Sequence, residues 1–164
     1  MITQKILKEY FDYHEGGYLV WKKLNKFTVN TSIGNRFGSI NKRGYRKGCF
    51  LGKYLLEHRM IFLFHHGYIP KIIDHINGNK SDNKINNLRS ASSSQNSQNR
   101  KTSNNKSGYK GVYYNAGCKK PYSTIAVNKK RINLGVFDTP EEAHEAYRKA
   151  SKEFHKEFSG FGKV

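Results

Sequence analysis

From Thr3 to Phe11 the apolar residues Ile6, Leu7, Tyr10 and Phe11 recur at the spacing of one helix face, and Thr3 stands where an N-cap would. The pattern predicts a short N-terminal helix. After the Gly16-Gly17 turn, the run Tyr18-Leu19-Val20-Trp21 and the pieces around 38–40 and 44–51 are β-rich, which predicts a small antiparallel sheet. Residues 55–66 carry apolar side chains on several sides, and Gly67 and Pro70 follow as stop signals, so a buried helix is expected there. Ile72 to Ile76 and Leu88-Arg89 read as two short strands around an Asn/Gly-rich loop at 77–87, whose side chains suit local turns. Between 90 and 108 nearly every residue is Ser, Asn, Gln, Lys or Arg, so the first half fits a polar helix and the rest a linker.

Residues 108–114, 121–128 and 131–137 form three β-like runs separated by short turns, the pattern of a three-stranded meander. Thr139-Pro140-Glu141-Glu142 then opens a helix, with a capping Thr, Pro at the first helical position and acids where the helix dipole favours them. Its apolar stripe is Ala143, Ala146, Tyr147, Ala150 and Phe154. There is no internal repeat. The class is α+β, with a first domain at 1–102, a linker at 103–107 and a second domain at 108–164.

Composition changes the picture by naming a partner. Among the 164 residues, 30 Lys and Arg stand against 12 Asp and Glu, a formal charge of +18, which implies a polyanion. The 11 Tyr and 10 Phe exclude a disordered basic tail, since such side chains fill cores or stack on bases. The charge is also segregated. Residues 16–56 hold nine Lys/Arg and no acid, and residues 107–137 hold six and none, giving two candidate nucleic-acid faces. In the second of these the basic residues lie in the strands and the helix is close to neutral, so the sheet face is the expected DNA surface. No signal-peptide pattern or membrane-length apolar run is present, so the expectation is a cytoplasmic protein with no membrane contact. Cys49 and Cys118 lie outside any C-x-x-C pair and read as reduced thiols, which excludes a zinc ribbon or a disulfide framework.

The chemistry concentrates at Asp74-His75. Hydrolysing a phosphodiester needs a base for water and a hard cation to hold the phosphate; Asp is an oxygen ligand suited to Mg²⁺ or Mn²⁺, and neutral His suits proton abstraction. Adjacent strand residues point to opposite faces, so the two can share a site only where the strand ends or twists. The other histidines, apart from His58, lack an acidic or Asn-rich partner nearby and read as structural.

The run D74-H75-I-N77-G78-x-x-x-D82-N83-x-x-x-N87-L88-R89, followed by S-x-N96-x-x-N99-R100, resembles the HNH endonucleases, especially the phage homing type. G17-Y18-L19-x-W21 and H58-R59 extend the likeness over roughly residues 10–100. The resemblance implies a ββα-metal fold in which Asp74 and Asn96 bind one cation, Mg²⁺ or Mn²⁺, His75 is the base, and Asn87 braces the loop that orients it. Asn99, one helical turn from Asn96, competes for the second ligand position. His58 and Arg59 are given a supporting role, and Arg59, Arg89, Asn99 and Arg100 are candidate DNA contacts.

The C-terminal stretch resembles a second family, the AP2 DNA-binding domain, through S-G-Y109-K110-G111-V112, I132-x-L134-G135-x-F137-x-T139-x-E141-E142-A143 and A146-Y147. That likeness implies a sheet that enters the major groove of double-stranded DNA. Lys110, Tyr113, Lys119, Tyr122, Thr124, Lys130 and Arg131 become the contact candidates. The expected function is thus a DNA endonuclease that nicks or cuts both strands, acting as a monomer. The alternatives are a non-catalytic, sequence-specific DNA-binding regulator, which would have no need of Asp74, His75 and Asn96 together, and, last, an RNA-binding protein.

Overall fold

A computed structural model describes residues 2–28, 30–99 and 105–159, which fall into two compact units, Met1–Ser92 and Ser93–Val164. Arg100 and positions 103 and 104 of the expected 103–107 linker lie outside the described residues.

The first unit opens with α1 (Gln4–Tyr10), whose first turn is capped by the Thr3 hydroxyl accepting from the Ile6 N–H at 3.4 Å. A hairpin follows, β1 (Phe11–His14) against β2 (Tyr18–Trp21), with Phe11 opposite Trp21. Its alternate residues Phe11, Leu19 and Trp21 are buried, as the period of 2 requires. The antiparallel sheet β3 (Ser39–Ile40), β4 (Arg46–Phe50) and β5 (Lys53–Leu56) adds Phe50 to the same core. Phe11 is the hub: its ring lies 4.4 Å from Trp21, 5.0 Å from Phe50 and 5.4 Å from Phe37. Aromatic pairs of this kind contribute about 0.5–1.5 kcal/mol each beyond the area they bury.

Helix α2 (Glu57–His66) buries Met60, Ile61, Phe62 and Leu63 on that core and ends at Gly67 in the left-handed region, whose N–H bonds the Leu63 carbonyl at 3.0 Å. The expected helix start at 55 is corrected: Leu55 and Leu56 finish β5, opposite Gly48 and Lys47, because strand pairing takes their backbone groups. β6 (Ile73–His75) and β7 (Leu88–Ser90) pair antiparallel, Asp74 opposite Arg89 and His75 opposite Leu88. Between them a single 3₁₀ turn, Ile85–Asn87, returns the loop to the sheet.

The second unit begins with the polar α3 (Ser93–Asn99). It continues with β8 (Val112–Tyr114), β9 (Pro121–Val127) and β10 (Lys130–Val136), an antiparallel sheet with β9 in the middle, and α4 (Pro140–His155) packed on β9. Thr139 and Glu142 form a reciprocal capping box at the start of α4. The core is Ile125, Tyr147 and Ala150, flanked by Val127 and Leu134. The expected stripe is corrected at its end, where Phe154 is 42% exposed. His155 turns in instead, its Nε2 donating to the Ala126 carbonyl at 2.9 Å while Nδ1 faces the Ser151 hydroxyl at 3.3 Å. The first expected β run is also shorter than 108–114, because Gly108 and Gly111 take left-handed φ of 73° and 79° and turn the chain before Val112.

Candidate active site

The strand β6 ends at His75, and the loop after it is held by its own amides. The Asn87 amide oxygen accepts the Asn77 N–H at 3.0 Å; its NH₂ donates to the Asn77 side-chain oxygen at 3.0 Å and the Asp82 carbonyl at 2.7 Å. Asn77 in turn donates to Asp82 Oδ2 at 2.7 Å, and the Ile76 N–H bonds the Asn87 carbonyl at 2.9 Å. These contacts explain the Asn-rich composition: short amides satisfy part-buried backbone groups where no ladder reaches.

The hairpin anchors the far side of the loop. The Tyr13 hydroxyl accepts the Ile85 N–H at 3.1 Å. At Gly17, φ is +81° and an added Cβ would stand 2.4 Å from the Lys84 nitrogen, so only glycine lets the two backbones approach. The Gly16-Gly17 turn therefore packs on Lys84 as well as reversing the chain.

Asp74 and His75 are each 5% exposed. Two nitrogens of Arg89, its cross-strand neighbour, reach Asp74 Oδ2, Nε and Nη2 each at 2.8 Å. Arg89, expected to touch DNA, is therefore bound to the candidate metal ligand. Burial lowers the His75 imidazole below its usual value of 6.5, opposed by its hydrogen bond to Asn83 and by the charges of Asp74 and Asp82. A neutral imidazole is the form a general base needs.

Around His75 stand residues of α2 and its neighbours. The His58 ring lies 5.2 Å from His75 and the Tyr45 ring 6.1 Å from it. His58 is 5% exposed, its Nδ1 has no hydrogen-bond partner among the described residues, and burial followed by the charges of His75 and Arg59 lowers it to about 3. Arg59 donates to the Pro70 carbonyl at 3.4 Å, tying α2 to the segment that leads into β6.

Two residues without an assigned role complete the cluster. Glu57, fully buried, accepts the Leu19 N–H on Oε1 at 3.1 Å and the Asn83 NH₂ on Oε2 at 2.9 Å, with Arg36 and Arg46 at 3.5 and 3.7 Å. Asn83, 1% exposed, presents its oxygen to His75 Nε2 at 3.0 Å. The signal for Glu57 was in the sequence: it is the lone acid between Gly16 and Ile73, in a stretch crowded with cations.

In the second unit, Asn96 is half-buried and Asn99 buried on α3. Of the candidate sheet contacts, Lys119, Lys130 and Arg131 are exposed and Tyr113 is 38% exposed, its ring 5.8 Å from Tyr122 and within 5.9 Å of the Arg131 guanidinium. Lys110 and Thr124 are each 8% exposed. The Lys110 ammonium donates to the Gln98 carbonyl of α3, and burial lowers it to about 8. This places Lys110 as an internal tether between α3 and the sheet. Beside it, Tyr113, Thr124 and Arg131 line a cavity of about 290 Å³ with Ser97 and Gln98.

Among the described residues no three His, Cys, Asp or Glu side chains gather as a metal cluster, and no helix is long and apolar enough to cross a membrane. No solved structure matches the chain. It is 34% identical over 128 residues to a protein of Acanthamoeba polyphaga mimivirus named as an uncharacterized HNH endonuclease; the match takes in 76% of this chain and 66% of that one. The family model described as HNH endonuclease matches residues 56–98, which include Glu57, Asp74, His75, Asn83, Asn87 and Asn96. Residues 56–98 thus carry an HNH endonuclease domain.

Proposed function

We propose that the protein is a metal-dependent DNA endonuclease of the homing type, with His75 as general base. The observation that carries this reading is a buried His75, kept neutral and hydrogen-bonded at Nε2, adjacent in sequence to the carboxylate of Asp74. The donor set fits a hard cation. Among the described residues one carboxylate without a His/Cys cluster is unsuited to a structural zinc site, whereas Mg²⁺ or Mn²⁺ takes one or two protein oxygens and completes its shell with phosphate and water. Asp74 and, from the resemblance, Asn96 would hold it. When bound, the cation supplies Lewis-acid stabilisation of the phosphate and its leaving oxygen. His75 takes the proton of the attacking water, and Arg89 holds the Asp74 carboxylate in place. The amide network of Asn77, Asp82 and Asn87 keeps the end of β6 fixed through the reaction.

The second unit, in this reading, is an AP2-like module that holds double-stranded DNA through Tyr113, Lys119, Lys130 and Arg131, the exposed members of the candidate set. One site per chain makes a monomer a nickase. The test is supercoiled plasmid and phage DNA with purified protein, with and without Mg²⁺ or Mn²⁺, beside His75→Ala. Metal-dependent open circles that vanish in the variant are expected. A His75→Ala protein that cuts at the normal rate would refute the assignment of the base, and linear product with no open circle at any time would refute the monomeric nickase.

A further inference from the structure

The hydrogen bonds around Glu57 have a direction, and the direction ends on His75. Both Glu57 oxygens face donors: the Leu19 N–H meets Oε1, and the Asn83 NH₂ and the two arginines meet Oε2. The group is therefore an acceptor on both oxygens, which fixes the Asn83 amide with its nitrogen toward Glu57 and its oxygen toward His75. An amide oxygen can only accept, so the proton of neutral His75 must sit on Nε2, and its lone pair on Nδ1. We infer that Glu57 and Asn83 form a relay that selects the Nε2–H tautomer of His75 and so decides which ring nitrogen serves as the base. Both are positioning residues. Resting on the nuclease reading of His75, the inference goes beyond it by assigning a task to Glu57, the lone acid between Gly16 and Ile73.

Swapping the two functional groups tests the relay. In Glu57→Gln, if the side-chain oxygen stays with the Leu19 N–H, the new NH₂ confronts the NH₂ of Asn83. The Asn83 amide then turns over, offers its NH₂ to His75 Nε2, and drives the ring to the Nδ1–H tautomer. In the double variant Glu57→Gln/Asn83→Asp the carboxylate and amide have exchanged places at constant charge. The Leu19 N–H then donates to the Gln oxygen, and the Gln NH₂ and the His75 Nε2–H both donate to the new carboxylate at position 83; the bond between positions 57 and 83 is reversed, but the proton of His75 is again held on Nε2.

The experiment is long-range ¹H–¹⁵N NMR of the full chain labelled at histidine, without DNA, near pH 8, with His75 assigned by its loss in His75→Gln. The relay expects Nε2–H in the wild type, Nδ1–H in Glu57→Gln and Nε2–H again in the swap. In parallel, kcat for nicking should fall roughly 100-fold in Glu57→Gln at unchanged KM and recover in the swap, the scale of a misaligned general base. A wild type that shows Nδ1–H, or a Glu57→Gln protein that keeps Nε2–H, overturns the relay, as does a loss of kcat without a tautomer change. If Glu57→Gln does not fold, Asn83→Ala decides: mixed tautomers support the relay and a lone Nε2–H overturns it. Tautomers that behave as expected in a protein that cuts no DNA would instead remove the nuclease reading and leave the relay standing.

Discussion

At the scale of single residues, burial resists the charged forms of Glu57, His58 and His75, and His58 states this most sharply. Its folded pKa of about 3 lies below the unfolded value near 6.5, so between those limits the unfolded chain binds the extra proton. The sign follows: stability from this group is fully present above pH 6.5 and is lost as pH falls toward 3, by about 1.4 kcal/mol for each unit inside the window. The groups that face it, His75, Tyr45 and Arg59, offer no carboxylate to rescue the charged form. Urea unfolding of the wild type and His58→Gln between pH 7 and 4 should show a shallower acid loss in the variant. Equal slopes would mean that His58 is protonated at little cost. The strand, loop and strand that carry Asp74, His75 and Asn87 were legible in the sequence because their spacing is local. Glu57 was not assigned, since its partners Leu19 and Asn83 stand 38 and 26 positions away and only folding brings them together.

At the scale of elements, the helices and strands followed their sequence signals where those signals were strong, as in the Thr3 cap of α1, the Gly67 stop of α2 and the Thr139 capping box. The misjudged ends have physical causes. Leu55 and Leu56 have the apolar character of a helix face, but pairing with β4 claims their backbone, and periodicity alone cannot separate a buried strand from a buried helix start. Lys110 was a DNA-contact candidate through the likeness of its segment to the AP2 domain; its burial against α3 depends on a tertiary contact that the motif does not encode. The turn that carries Lys110 sits tightly on α4. At Gly111, φ is +79° and an added Cβ would stand 2.0 Å from the Tyr147 ring. Gly111→Ala should therefore destabilise the second unit by about 2–4 kcal/mol, from overpacking together with a left-handed backbone. Thermal unfolding by near-UV circular dichroism checks this, and an unchanged transition would show that Tyr147 can move aside.

At the scale of the whole molecule the governing quantity is charge. An excess of +18 on 164 residues makes association with a polyanion strong and salt-sensitive whatever the chemistry at His75. Charge on this scale does not say which cations touch phosphate, and exposure narrows the choice. In the second unit Lys119, Lys130 and Arg131 are exposed, whereas Lys110 is internal. If the three exposed cations each neutralise one phosphate, replacing all of them by Ala should reduce the slope of log K against log [salt] by about 2.7, at 0.9 per phosphate. Lys110→Ala should leave that slope nearly unchanged and lower the melting temperature instead. Binding of a fluorescent duplex from 50 to 300 mM salt reads both variants, with His75→Ala as the parent so that no DNA is cut during the titration. A slope altered as much by Lys110→Ala as by the triple variant would mean that the lysine leaves Gln98 to meet DNA, and the sheet face would then have to open on binding.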